Sequence, residues 1–199
     1  LNQLDAGSWY VEQLGLRLQD REPFLQILNE IEKATFVSPS QQAVYASGDI
    51  KIPSLAEAFC LAKELGLRVN VELKSQSEGV TKLVAAVLRV VKVMAMEDQI
   101  IISSFDHEGL RQIRQQTKKM AIGVLTDIPI HEPIAYLRSL DANAYHLACY
   151  CDVKSNRLNE LSSIFYFDHI KIIRNAGFDI NIWTCNDPEQ IILYHEAGI

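Results

Sequence analysis

The sequence predicts an α/β protein built on a parallel sheet. Five short runs of β-branched and aliphatic residues recur between residues 67 and 184. Segments with apolar residues three and four apart, the period of an amphipathic helix, separate them. The runs are almost wholly apolar, as strands are when both faces of their sheet are covered. Strands alternating with helices form βα units and pair in parallel.

The elements read as follows. The stretch from Trp9 to Ile50 holds one helix, 22–36, and then a loop over 37–49 rich in Ser, Gln and Gly, an excursion off the sheet. A helix over 53–66 starts at Pro53-Ser54 and stops at Gly66. Strand 67–73 follows, then helix 79–96, strand 99–105, helix 107–119 with Asp106 as its cap, and strand 120–126. Helix 131–140, strand 144–148, helix 165–177 and strand 178–184 complete the alternation. Asn186-Asp187-Pro188-Glu189 opens a last helix, which Gly198 closes.

These units repeat every 20 to 35 residues, close to the about 30 of a (β/α)8 TIM barrel. Five strands do not close such a barrel, so on that reading it is incomplete, with three strands missing. An open doubly wound sheet is the alternative. No Gly-rich phosphate loop follows any strand, which counts against its nucleotide-binding form.

Bulk properties narrow the function. The 199 residues are 48% hydrophobic, enough for one core, and the net charge of −6 argues against a nucleic-acid partner. No run of 18 apolar residues suggests a transmembrane segment. Cys60, Cys149, Cys151 and Cys185 form no CxxC pair and read as free thiols, which suits a reducing, cytoplasmic setting without fixing one. A zinc site from Cys149, Cys151 and His146 lacks a fourth ligand. The chain begins at Leu1 and stops directly after its last helix, so a fragment cut at both ends is expected, and its oligomeric state is open.

Parallel barrels carry their reactive groups at the carboxyl ends of the strands. Those positions hold Glu72, Lys74, Ser104, Phe105, Thr126, Asp127, His146, Trp183 and Asn186. Glu72 and Lys74 are two apart and so share one side of a strand. A rigidly held carboxylate suits a hard cation such as Mg²⁺ or Ca²⁺, and the lysine suits an anionic substrate such as a phosphate. A plain ion pair at a strand end is the competing reading. Trp183 is either a pocket wall or core packing. Ser104 has no His–Asp partners in sequence to make it a nucleophile. His107, His131, His169 and His195 read as surface residues, whereas His146, on a strand and directed toward the barrel mouth, is a candidate substrate-binding residue.

Four stretches, in order, carry a resemblance: 4-LDAGSW-9; 52-IPSLAEAF-59 running into 69-VNVELK-74; 101-IISSFDHEGLRQIR-114; and 177-GFDINIWTCNDPEQI-191. They resemble motifs of the glycerophosphodiester phosphodiesterase family, with Cys185 where its motif has Val. The resemblance covers the carboxyl-terminal two-thirds of that (β/α)8 domain and implies strands four to eight. It implies hydrolysis of a small-molecule glycerophosphodiester to an alcohol and glycerol 3-phosphate, with a divalent cation, Mg²⁺ or Ca²⁺. It implies that Glu72 ligates the metal, Lys74 contacts the phosphodiester as a catalytic group, and Trp183 lines the substrate pocket with Phe105 nearby. The family's H-R-G, E-x-D and H-D motifs, with both catalytic histidines and two metal-ligating acids, do not occur here, so the 199-residue chain by itself is expected to be inactive. Residues 11–49 depart from the family pattern as an insertion or variable excursion in a region where these enzymes vary, which leaves substrate range open. A non-catalytic binding module or pseudoenzyme, and a phospholipase D-like phosphodiesterase, are the alternatives.

Overall fold

All five strands form where the apolar runs stand, and they pair in the order in which they occur. The structure, a computed structural model, describes residues 4–8, 38–74, 79–149 and 160–199. The predicted helix 22–36 and Cys151 lie outside them. The chain divides into two compact units, Leu1–Ala58 and Phe59–Ile199.

In the first unit, Asp5 forms an antiparallel bridge with Lys51, and the Ala6 amide donates to Ile50 O at 2.8 Å. The Asp5 carboxylate accepts from the Ser8 hydroxyl and the Gly7 and Ser8 amides, which together hold its pKa down to about 2. Helix α1, Pro39–Ala46, occupies most of the predicted loop 37–49. A reciprocal capping box between Ser38 and Gln41, with Pro39 in the first turn, starts it. The Ser- and Gln-rich composition was a helix-start signal rather than a loop signal.

Helix α2 is Leu55–Glu64. Ser54 and Glu57 cap it reciprocally, with Ser54 N donating to Glu57 Oε2 at 2.6 Å. It ends at Gly66, whose φ of +64° lets the Leu67 amide turn back to Ala62 O at 2.8 Å.

The sheet consists of β1 (Val69–Glu72), β2 (Ile100–Ser104), β3 (Ala121–Thr126), β4 (Ala144–Ala148) and β5 (Asp179–Trp183), parallel throughout and ordered β1-β2-β3-β4-β5. Helices α3 (Val80–Val93), α4 (His107–Gln116), α5 (Pro133–Ser139) and α6 (Glu160–Asn175) connect successive strands, and α7 (Pro188–Glu196) follows β5. Crossovers of this kind are right-handed. A strand order that never reverses therefore puts every connecting helix on the same face. A doubly wound sheet needs a reversal, so this sheet is wound as a barrel is.

The pairing register assigns the two faces. Val71, Ile102, Ile122, Tyr145 and Ile180 lie on the helix side, where Ile102, Ile122 and Tyr145 are wholly buried. Val84, Val91, Leu110, Ile113, Leu137 and Ile173 cover them from the helices, also wholly buried. On the lumen side stand Asn70, Glu72, Ser103, Gly123, His146, Asn181 and Trp183. The polar strand residues Asn70, Glu72, Ser103, His146 and Asn181 share the inner face with apolar Ile101, Ala121, Leu125 and Ala144, and they point the chemistry inside.

Arg114 ties down the opposite, amino-terminal end. Although on a helix, it is only 7% exposed. Its Nη1 donates to Lys118 O and Met120 O, both at 3.0 Å, and its Nη2 to Asp141 O at 2.6 Å and Asn143 Oδ1 at 3.0 Å. The same Asn143 oxygen accepts from Ile122 N at 3.0 Å, so one guanidinium fixes the starts of β3 and β4. Cys60 and Cys185 are free thiols.

Candidate active site

The carboxyl ends of the strands bring several of the predicted site residues together. Glu72 closes β1 and Lys74 follows it, with Nζ donating to Glu72 Oε1 at 3.0 Å. The lysine side chain is 81% exposed and the glutamate 30%. A pair so open to water contributes about 0–1 kcal/mol to stability. Fold stability is thus a weak reason for its presence. Leu73, between them, is buried on the helix side, and Gly109 of α4 comes close to it.

Phe105 and Trp183, at the ends of β2 and β5, meet edge to face with ring centroids 5.4 Å apart and planes at 89°. Trp183 is anchored by its indole N–H, which donates to His146 O at 3.1 Å. Phe105 stays 45% exposed. One aromatic is fixed and the other half-open, as a wall for a bound molecule requires.

His146 stands below this rim. It is 4% exposed, and Asn181 Nδ2 donates to its Nε2 at 2.9 Å, which places the ring proton on Nδ1. Burial lowers its pKa, which favours the neutral ring. The ring fills the space over Gly123: a Cβ there would come 2.6 Å from His146 Cε1. Gly123→Ala is therefore expected to cost about 1–3 kcal/mol, seen as a lower midpoint in denaturant unfolding. An unchanged midpoint would mean that the ring moves aside freely.

Other predicted residues are structural. Ser104 Oγ donates to Leu73 O at 2.8 Å and accepts from Asp106 N at 3.0 Å, joining the end of β1 to the start of α4. Asp106 caps α4 and Asp187 caps α7, as their positions predict. Thr126 Oγ1 donates to Ile128 O at 2.5 Å. Two histidines depart from the expected surface placement. His107 donates from Nε2 to Leu125 O at 2.9 Å and accepts at Nδ1 from the Tyr136 hydroxyl at 2.7 Å. His169 turns its ring toward Tyr145, with centroids 5.9 Å apart, and its pKa is lowered by burial. Each sits on the inward stripe of its helix.

Ser103 was not visible as a site residue. It pairs in register with Glu72 on the lumen face, is fully buried, and its Oγ has no hydrogen-bond partner among the described residues. Two serines in tandem look alike in sequence, and only the register separates their faces.

Glu72 fits a hard cation as a single oxygen donor: its carboxylate is partly open and Lys74 engages only Oε1. Among the described residues no three His, Cys, Asp or Glu side chains converge, so Glu72 would be one member of a set completed elsewhere. A concavity of about 580 Å³ lies at the amino-terminal ends of the strands between Arg68, Asn143, Arg174 and Asp179, away from Glu72 and Trp183.

Residues 16–199 match the Glycerophosphoryl diester phosphodiesterase family. The chain belongs to that family. Similarity to individual glycerophosphoryl diester phosphodiesterase relatives is more distant. A glycerophosphodiester phosphodiesterase of Caldanaerobacter subterraneus is 29% identical over 153 residues, 75% of this chain and 56% of the relative. YqiK of Bacillus subtilis, an uncharacterized protein, is 26% identical over 170 residues, 85% of this chain and 64% of its own. The solved structure of an Oleispira antarctica phosphodiesterase, in complex with the product sn-glycerol-3-phosphate, superposes with a TM-score of 0.67 at 22% identity, over 80% of this chain and 59% of that one. This chain thus spans less than two thirds of each. The shared fold makes its five strands part of a (β/α)8 barrel, incomplete here.

Proposed function

We propose that the protein carrying this chain hydrolyses glycerophosphodiesters to an alcohol and glycerol 3-phosphate, assisted by Mg²⁺ or Ca²⁺. The observation behind this is the Glu72–Lys74 pair, 3.0 Å apart at the lumen end of β1, an ion pair whose exposure gives it little stabilising value. In that reaction a P–O bond to the alcohol breaks and water adds to phosphorus. A bound cation supplies charge neutralisation at the phosphoryl oxygens, and Glu72 would be one of its oxygen donors. Lys74 Nζ, freed from Glu72, faces the anionic diester and stabilises the negative charge that grows in the transition state. Phe105 and Trp183 form the apolar wall that orients the substrate, and His146 supports Trp183 from beneath through its carbonyl. Proton transfer is assigned to the family's two catalytic histidines, whose H-R-G and H-D motifs do not occur in these 199 residues, so this chain alone is expected to be inactive. Residues 11–49 are assigned to a variable segment of the domain.

The test is release of glycerol 3-phosphate from glycerophosphocholine and glycerophosphoethanolamine by the full-length gene product, with Mg²⁺, Ca²⁺ or EDTA. Release that EDTA abolishes supports the assignment. No release by folded protein with either metal points to a binding module or to a lipid-cleaving relative.

A further inference from the structure

Ser103 is buried without a partner in a strand whose next residue shows what a satisfied serine looks like. Ser104 is equally buried, yet its hydroxyl both donates, to Leu73 O at 2.8 Å, and accepts, from Asp106 N at 3.0 Å. Ser103 Oγ does neither among the described residues. A buried hydroxyl left unpaired is destabilising, and alanine would fill the same place without that penalty. A native serine there calls for a second state in which the hydroxyl is used.

The register shows what it can reach. On one side Ser103 pairs with Gly123, where the His146 ring takes up the space and engages its own Nε2 with Asn181. On the other side it pairs with Glu72, whose Oε1 is held by Lys74. No described residue donates to Glu72 Oε2 in the present arrangement. A carboxylate with one oxygen, and a hydroxyl with its proton, that no described residue engages are adjacent across one strand pairing.

We propose that Ser103 is a positioning residue for Glu72. When the carboxylate turns from Lys74 toward a cation, Ser103 Oγ–H donates to one carboxylate oxygen and fixes the direction of the other. This rests on the reading of Glu72 as a metal donor. Partners behind a ligand of this kind are worth 10- to 100-fold in metal affinity.

The experiment titrates Ca²⁺ and Mg²⁺ into the full-length gene product by calorimetry, alongside thermal unfolding without metal. The variants are Ser103→Ala, Ser103→Thr and Glu72→Gln. Ser103→Ala is expected to bind the cation about 10-fold more weakly while its Tm stays equal or rises, because the orphaned hydroxyl is gone. Ser103→Thr, which keeps the hydroxyl, is expected to bind within about threefold of the native protein. A purely structural serine would show neither the affinity loss at constant Tm nor the rescue. Native affinity in Ser103→Ala with weak binding in Glu72→Gln overturns the role of Ser103 alone. Native affinity in Glu72→Gln overturns the reading of Glu72, and this inference with it. If Ser103→Ala folds poorly, Ser103→Cys takes its place, since the thiol is a weak donor.

Discussion

Glu72→Gln in the full-length gene product is expected to lower kcat/KM for a glycerophosphodiester by about 100-fold or more, with cation affinity falling in parallel. Glutamine keeps the length, shape and one carbonyl acceptor of the native side chain, and only the charge is removed. A 100-fold loss corresponds to about 2.7 kcal/mol of transition-state stabilisation, within the several kcal/mol that a charged metal site supplies. The folded state should hardly notice the change, because the partner lysine is 81% exposed and the ion pair contributes about 1 kcal/mol at most. The informative result is therefore the pairing of lost activity with an unchanged Tm. Full activity in the glutamine variant would sink the assignment of Glu72, and loss of both activity and fold would return it to a structural ion pair.

The largest stability effect is expected far from that rim. Arg114→Met should destabilise the protein by about 3 kcal/mol, because it strips donors from four backbone carbonyls and from Asn143 while leaving Asp141 without its buried partner. For a protein of this size that is a fall of about 6–12 °C in Tm by calorimetry. Lysine should rescue little, since one ammonium does not span acceptors that a planar fork reaches together. A methionine variant within about 0.5 kcal/mol of the native protein would show that water replaces the guanidinium at no cost.

The sequence exposed the sheet because short β-branched and aliphatic runs set between helix stops and helix starts favour strands, and each such run became one. It placed Glu72, Lys74, Phe105 and Trp183 at one end of the sheet because strand ends are fixed points of a parallel sheet, while the roles expected of them came from the family resemblance. What it hid was whatever depends on partners distant in the chain. An arginine on an amphipathic helix looks solvated until the turn at Asp141 and the side chain of Asn143 fold over Arg114. Ser103 and Ser104 are indistinguishable until the pairing with Glu72 assigns their faces. The meeting of Phe105 with Trp183 needs the sheet to curl, which no local pattern records. In 37–49, Ser and Gln suggested a loop by composition, while the order Ser38-Pro39-Gln41 carried the helix start.

The strand order has a consequence for how the sheet assembles. Every strand pairs with its immediate successor, the nearest partners being Ile101 with Ala121 and the most distant Ala144 with Asp179. Chain segments of such similar length carry nearly equal closure entropies, since even a doubling adds only about 0.6 kcal/mol. Topology therefore imposes no obligatory sequence of events, and no pairing must wait for the two ends of the sheet to find each other. Local strength is left to choose the starting point. The junction of β3 and β4, which Arg114 and Asn143 clasp, is the expected starting point, and φ-values near 1 there with low values in β1 and β5 would be its signature.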